Sequence, residues 1–265
     1  ALYRLRKDQR GILIVSAATI IQRLPPVHYL EQHALIVNTG DRFDIGKMRA
    51  RFELSGYQCV SEVFEHGEFA VRGSLIDLYP MGSEHPFRID LFDDEVESIR
   101  LFDPETQRTI KKVDNINLLP AREFPVTEEA VSRFRKQFRT SFEGDPKRSP
   151  IYNDISDKVI PNGIEYYLPL FFDDELTSLL DYPSKNACLI TFADTFEGVR
   201  ESWREILHRY EQRRHDIERP LLPPEKLFLA ESAIKKSFDE LSGIELRAEK
   251  SLDQRATNFE TRHIP

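Results

Sequence analysis

Arg72, Arg88 and Phe92 have the side-chain types that proteins most often use to hold a protein partner. Arg88 and Phe92 lie in a stretch, Phe87 to Phe92, in which apolar and polar residues alternate. Successive side chains of a strand point to opposite faces, so the apolar residues of this stretch can face a core. The same alternation leaves Arg88 and Phe92 together on the outer face.

Arg72 follows the same rule, because it alternates with Phe69 and Val71 in its own predicted strand. If the two strands are neighbours, Arg72, Arg88 and Phe92 form a patch with the composition of an interface hot spot. The alternative is that Phe92 packs under a loop while both arginines pair with Asp90, Asp93 or Glu95. The pattern alone leaves both interpretations open.

Two acidic clusters, Asp93 to Glu95 and Asp173 to Glu175, offer a different chemistry. Neighbouring carboxylates can hold a metal or divide acid and base roles, so a nucleotide- or metal-dependent hydrolase is the alternative function. Adjacent side chains diverge, however, and no histidine stands at ligand spacing. We therefore expect solvated turn charges, with no catalytic residue and no metal or cofactor site in this chain.

Two further patterns suggest ligands without specifying them. Gly40 to Met48 resembles a phosphate-binding loop, but five residues separate its glycines instead of four, and Met48 replaces the required Ser or Thr. The predicted helix from Glu201 to Arg219 carries several arginines that could touch DNA, yet glutamates interleave with them at helical spacing. We expect a turn that leads into a helix in the first case and a solvated helix face in the second.

Composition limits the class of protein. The chain has 265 residues, 40% of them apolar, and a net charge of −8, which disfavours broad nucleic-acid binding and favours a protein partner. The two cysteines do not form a disulfide or metal pattern, so a cytoplasmic location is expected. No run of about 18 apolar residues is present, and we expect no membrane contact.

The order of predicted elements indicates an α/β fold interrupted by an insertion. Residues 1–32 contain a strand, Gly11 to Val15, and a helix capped by Ser16, and they read as the first part of a truncated α/β domain that begins inside its layer. Residues 33–120 form an inserted α+β domain with an antiparallel sheet, residues 121–246 return to the α/β domain, and residues 247–265 resemble a linker. Within the insertion we expect strands at Gln58 to Phe64 and at Glu68 to Tyr79.

The residues of the patch also carry a family resemblance. The stretches His66 to Pro80 and Phe87 to Glu95 resemble the bacterial transcription-repair coupling factor family (Mfd) and, more loosely, the excision-repair protein UvrB. Further matching stretches are Gly11 to Pro25, Asn117 to Pro125, Gly163 to Tyr167 and Arg219 to Pro224.

This resemblance implies a partial UvrB-like module, in which a helicase-type α/β domain is interrupted by a domain that binds UvrA. By motif position, Arg72, Arg88 and Phe92 fall on the UvrA-contacting surface. The family's binding of RNA polymerase and double-stranded DNA, and its motor that uses ATP and magnesium, belong to other parts of the longer protein. The resemblance therefore implies a non-catalytic binding fragment.

Overall fold

The computed structural model describes residues 2–7, 11–42, 44–184, 186–247 and 257. The predicted linker-like tail, residues 247–265, lies almost wholly outside the described residues. Of the helices in the described ranges, none is long and apolar enough to cross a membrane.

Strands occur along most of the described chain. They are β1 (Arg23–Leu24), β2 (Leu35–Asn38), β3 (Gln58–Cys59), β4 (Glu68–Arg72), β5 (Leu75–Leu78), β6 (Phe87–Phe92), β7 (Glu95–Phe102), β8 (Thr109–Val113), β9 (Asn115–Leu118), β10 (Thr177–Ser178), β11 (Cys188–Phe192) and β12 (Ser242–Leu246).

Helices flank these strands. They are α1 (Leu2–Lys7), α2 (Ala17–Ile20), α3 (Val27–His33), α4 (Ile45–Leu54), α5 (Glu128–Ser141), α6 (Pro150–Ser156), α7 (Thr195–Arg213) and α8 (Glu231–Asp239), with 3₁₀ turns at Pro146–Arg148, Ile164–Phe171, Leu179–Asp181 and Pro224–Lys226.

The centre of the first half is a six-stranded sheet in the order β3-β4-β5-β6-β7-β8. All neighbours are antiparallel except β3 and β4, which are parallel. One face buries Phe69, Ile76 and Ile89, all fully inaccessible, against Phe52 of α4 and the antiparallel pair β2–β9. The alternation around Phe87 to Phe92 therefore places a core on one side of the sheet, as predicted.

Two strand predictions in this unit were wrong. The strand expected at Gln58 to Phe64 is only two residues long, and the one expected at Glu68 to Tyr79 is a hairpin that turns at Gly73 and Ser74. Gly73 has a φ of +62°, a conformation that glycine adopts at little cost because it has no side chain. The chain therefore turns at this residue. Because the residues on both sides of the turn are apolar, the sequence pattern resembled one continuous strand.

Local caps define the ends of several helices. Asp44 accepts a hydrogen bond from the backbone of Lys47 at the start of α4, and Gly56 follows its end with a φ of +89°. Thr127 caps α5 in the same way through Ala130 N. The apolar side of α5 packs Phe134 and Phe138 against Tyr167 and Phe171 in a second core.

The predicted strand from Gly11 to Val15 was also wrong, since these residues join no strand of the described chain. Ile12 is 93% exposed and Ile14 is 90% exposed, so the segment lacks a neighbour to receive its hydrogen bonds and side chains. Ser16 nevertheless caps α2 by accepting from Thr19 N at 3.3 Å. The apolar run predicted a strand but could not identify a strand to pair with it.

The second half contains a small parallel sheet, β11–β12, joined by α7 and α8. This strand-helix-strand unit gives the α/β character that was predicted for the ends of the chain. The fold class, α/β with an inserted α+β unit on a mainly antiparallel sheet, is confirmed. The exact domain boundaries, at residues 33, 120 and 246, stay a prediction.

Candidate partner-binding face

Arg72, Arg88 and Phe92 lie on one face of the six-stranded sheet, opposite its core. Arg72 ends β4, while Arg88 is the second residue and Phe92 the last residue of β6. The strands β4 and β6 are not neighbours, however, because β5 lies between them. The patch expected from direct pairing of the two strands therefore needs a third strand.

That third strand contributes Asp77, a residue the sequence reasoning missed. Asp77 is directly opposite Ala70 on one side and Arg88 on the other, so its side chain shares the outer face. Its Oδ1 accepts a hydrogen bond from Arg88 Nε at 2.6 Å, and its Oδ2 accepts from Arg88 Nη2 at 2.8 Å and from Arg72 Nη2. Two guanidinium groups therefore share one carboxylate, whose side chain is fully buried.

The hairpin at Gly73 and Ser74 explains why Asp77 was missed. In one continuous strand, Asp77 would share the parity of Phe69 and Val71 and would face the core. The two-residue turn instead places Leu75 directly opposite Arg72, which moves Asp77 to the outer face. A charged residue inside the apolar run Leu75 to Leu78 was the available signal.

Arg88 is held from several sides. Besides Asp77, it donates from Nη1 to the backbone oxygen of Gln107 at 3.3 Å and from Nη2 to Gln107 Oε1 at 3.2 Å. Four of its five N–H groups therefore have acceptors within the chain. Its guanidinium carbon also lies 4.6 Å from the centre of the Phe102 ring, and hydrogen bonding to Asp77 raises the pKa of Arg88. Arg88 is thus fixed and mostly covered.

Arg72 and Phe92 are more available than Arg88. The Arg72 side chain is 43% exposed and, among the described residues, donates one of its five N–H groups, to Asp77. Phe92 is 69% exposed. The tip of the β4–β5 hairpin reaches the end of β6, where the backbone oxygen of Ser74 accepts from Leu91 N at 3.0 Å. Arg72 and Phe92 therefore stand at the same end of the sheet.

The alternative of internal pairing is partly right, with a different acceptor. Both arginines pair within the chain, but with Asp77 and not with Asp90, Asp93 or Glu95. Asp90 instead accepts from Arg100 Nη2 at 2.5 Å. Phe92 does not pack under a loop, which was the other half of that alternative.

The acidic clusters are surface charges of turns and ion pairs. Asp93 has a φ of +55° in the β6–β7 turn. Asp173 lies 2.6 Å from Arg133, and Asp174 lies 3.6 Å from His28. Among the described residues, no group of three His, Cys, Asp or Glu side chains is arranged to hold a metal. No observation favours the hydrolase alternative.

The other two sequence patterns also have structural explanations. In α7, Arg204, Arg209 and Arg214 pair with Glu197, Glu205 and Glu211, as expected for a solvated helix face. Asp41 follows Gly40 and accepts from the backbone N–H of Asn38 at 2.7 Å, so a carboxylate occupies the turn.

The chain is similar in sequence to a known domain family and to several known proteins. Residues 35–124 match the UvrB interaction domain. The chain is 44% identical over 252 residues to the transcription-repair-coupling factor of Haemophilus influenzae and 42% identical over 250 residues to that of Escherichia coli K12. Each alignment covers 94% of this chain and 22% of the relative. A transcription-repair-coupling factor of Staphylococcus aureus is 27% identical over 76% of this chain and 18% of that relative.

The matched domain contains the whole six-stranded sheet, including Arg72, Asp77, Arg88 and Phe92. The chain spans about a fifth of the length of these relatives. Over nearly all its own length it is thus similar to one part of the transcription-repair-coupling factors, and its residues 35–124 match the UvrB interaction domain.

Proposed function

We propose that this chain is a protein-binding module that docks UvrA, and that Arg72, Arg88 and Phe92 form its contact surface. The observation that carries the proposal is the exposed Phe92 ring, which stands at the same end of the sheet as the partly free Arg72, on a face where Arg88 and Arg100 are paired within the chain. A match to the UvrB interaction domain in the same residues supports the choice of partner.

The side chains of this surface suit an apolar anchor residue with charged groups around it. A phenylalanine that enters a pocket on the partner gains affinity by leaving water, and nearby arginines bind carboxylate or carbonyl groups around that pocket. Arg88 contributes little direct contact, because most of its donors are already used. Its role in this surface is to hold the charge arrangement in place.

The longer protein's activities belong to this proposal only as context. By its resemblance to the family, the longer protein would recruit UvrA to stalled RNA polymerase and move on double-stranded DNA in the cytoplasm with ATP and magnesium. The module itself has no catalytic task in this proposal.

Replacing Phe92 tests the proposed contact. We expect Phe92→Ala to weaken UvrA binding by about 2 kcal/mol, roughly thirtyfold in Kd, because truncating a buried anchor removes its apolar contact. The measurement is a calorimetric titration of UvrA into the folded chain, with a melting curve to verify that the fold is intact.

Phe192→Ala is the matched control, since Phe192 is 62% exposed but lies in β11, outside the matched domain. We expect this control to bind like the wild type. Equal affinity of Phe92→Ala and wild type would overturn the proposed contact, and a wild-type chain that does not bind UvrA would overturn the function.

A further inference from the structure

Asp77 is the most unusual charged residue of the described chain, because its carboxylate is fully buried within a sheet. Burying a carboxylate costs free energy unless hydrogen bonds and opposite charges compensate it. Asp77 receives three such hydrogen bonds, all from Arg72 and Arg88. The cost of burial is therefore balanced only while both arginines point toward β5.

The strand order explains why both arginines need Asp77 to come together. The strands β4 and β6 lie on either side of β5, so that the strands that carry Arg72 and Arg88 are about 10 Å apart. Without an acceptor between them, the two guanidinium groups would repel each other. The side chain of Arg72 would then rotate freely in solvent. Asp77 draws both groups to one point.

The shared carboxylate also divides the work between the arginines. Arg88 is clamped by Asp77 and Gln107 and is only 16% exposed, whereas Arg72 gives a single N–H and keeps the rest of its planar fork outward. The Arg72, Asp77 and Arg88 group carries one net positive charge on the same face of the sheet as the exposed Phe92.

We infer that Asp77 is a positioning residue for partner binding. It fixes the Arg72 guanidinium so that the remaining donors of Arg72 meet an acidic or carbonyl-rich segment of the partner, on the face that Phe92 also contacts. This inference rests on the proposed function, since the partner is the one proposed there. Holding the fork in advance lowers the entropy lost on binding, so the effect on affinity comes through Arg72 and not through contact of Asp77 with the partner.

Asp77→Asn is the direct test, because the amide keeps the shape and removes the charge. We expect a loss of UvrA affinity of about tenfold or more. Asp90→Asn is the matched control on the same face: Asp90 pairs with Arg100, and we expect this variant to stay within about threefold of wild type.

Coupling separates a positioning role from general damage to the fold. If Asp77 acts through Arg72, Asp77→Asn adds little further loss in an Arg72→Ala background, whereas its effect multiplies with that of Phe92→Ala. Losses that multiply equally in both backgrounds would overturn the inference. So would wild-type affinity in folded Asp77→Asn.

A measurement on the wild-type chain keeps the inference testable if Asp77→Asn does not fold. Nuclear magnetic resonance relaxation of arginine side-chain Nε–H groups should show Arg72 to be restricted relative to Arg51, an exposed arginine of α4. Equal mobility of the two would overturn the inference. A wild-type chain that fails to bind UvrA overturns the proposed function itself, whereas a binding wild type with an equally tight Asp77→Asn overturns only the role of Asp77.

Discussion

The six-stranded sheet and the two-stranded sheet β11–β12 each expose a phenylalanine, but in different surroundings. Phe92 stands on the charged face of a sheet whose opposite face is fully covered by a core. Phe192 stands in a sheet where Ile190, Ile244 and Leu246 are also at least 44% exposed.

The difference teaches that exposure alone does not identify a docking residue. In the first region one ring is exposed among charges that are fixed by hydrogen bonds, so its exposure is a local feature of a complete unit. In the second region a whole apolar surface is open, and nothing in the structure shows what covers it. For this reason the functional proposal rests on Phe92 and leaves Phe192 as its control.

The largest expected effect is a loss of stability when an isoleucine is truncated, compared between the two sheets. Ile89→Ala should lower the free energy of unfolding of the first region by about 3 kcal/mol, because it leaves a cavity at a fully buried site in the middle of β6. Ile190→Ala should cost below about 1 kcal/mol, since that side chain is 58% exposed. Native-state hydrogen exchange reports each region separately. Equal losses would contradict the difference in packing.

A smaller effect concerns the close approach of Arg122 to Gly56, which follows α4. Gly56→Ala should destabilise the protein by about 2 kcal/mol, because Gly56 has a φ of +89° and an added Cβ would stand 2.5 Å from Cγ of Arg122. Gly73→Ala is the matched control: its φ is +62°, but no atom lies within 4 Å of the added Cβ. Chemical denaturation of both variants should show the greater loss for Gly56→Ala, and the reverse order would contradict tight packing of Arg122 on Gly56.

The smallest effect is a pH dependence at the neighbouring residue, Tyr57. The Tyr57 hydroxyl donates to the backbone oxygen of Leu119 at 2.6 Å, and burial raises the pKa of Tyr57 to about 12. An unfolded tyrosine ionises near pH 10, so this contribution to stability is complete below about pH 10 and is lost as the pH rises toward 12.

Tyr57→Phe removes both the hydrogen bond and the titration. We expect it to cost about 1 kcal/mol at neutral pH and to make the loss of stability above pH 10 less steep than in wild type. Denaturation curves between pH 8 and about pH 12 measure this slope. Tyr166→Phe, at an exposed phenol, controls for the loss of a hydroxyl. An unchanged slope in Tyr57→Phe would show that Tyr57 does not couple folding to alkaline pH.

Much of the fold could be predicted because its signals are local. Alternation located β6 and its two faces, and the Ser16 cap placed the start of α2. These signals depend on backbone geometry within a few residues, so they do not need the rest of the chain. The strand predicted at Gly11 to Val15 failed for the opposite reason, because pairing depends on a distant neighbour.

The candidate site shows the same division. The sequence by itself determined that Arg88 and Phe92 share the outer face, since a strand has a period of two. Only the tertiary structure decided that β5 separates Arg72 from Arg88 and that Asp77 joins them. A two-residue turn at Gly73 reverses the chain and changes which residues face outward, and a buried carboxylate gains its partners from strands that the sequence does not place side by side.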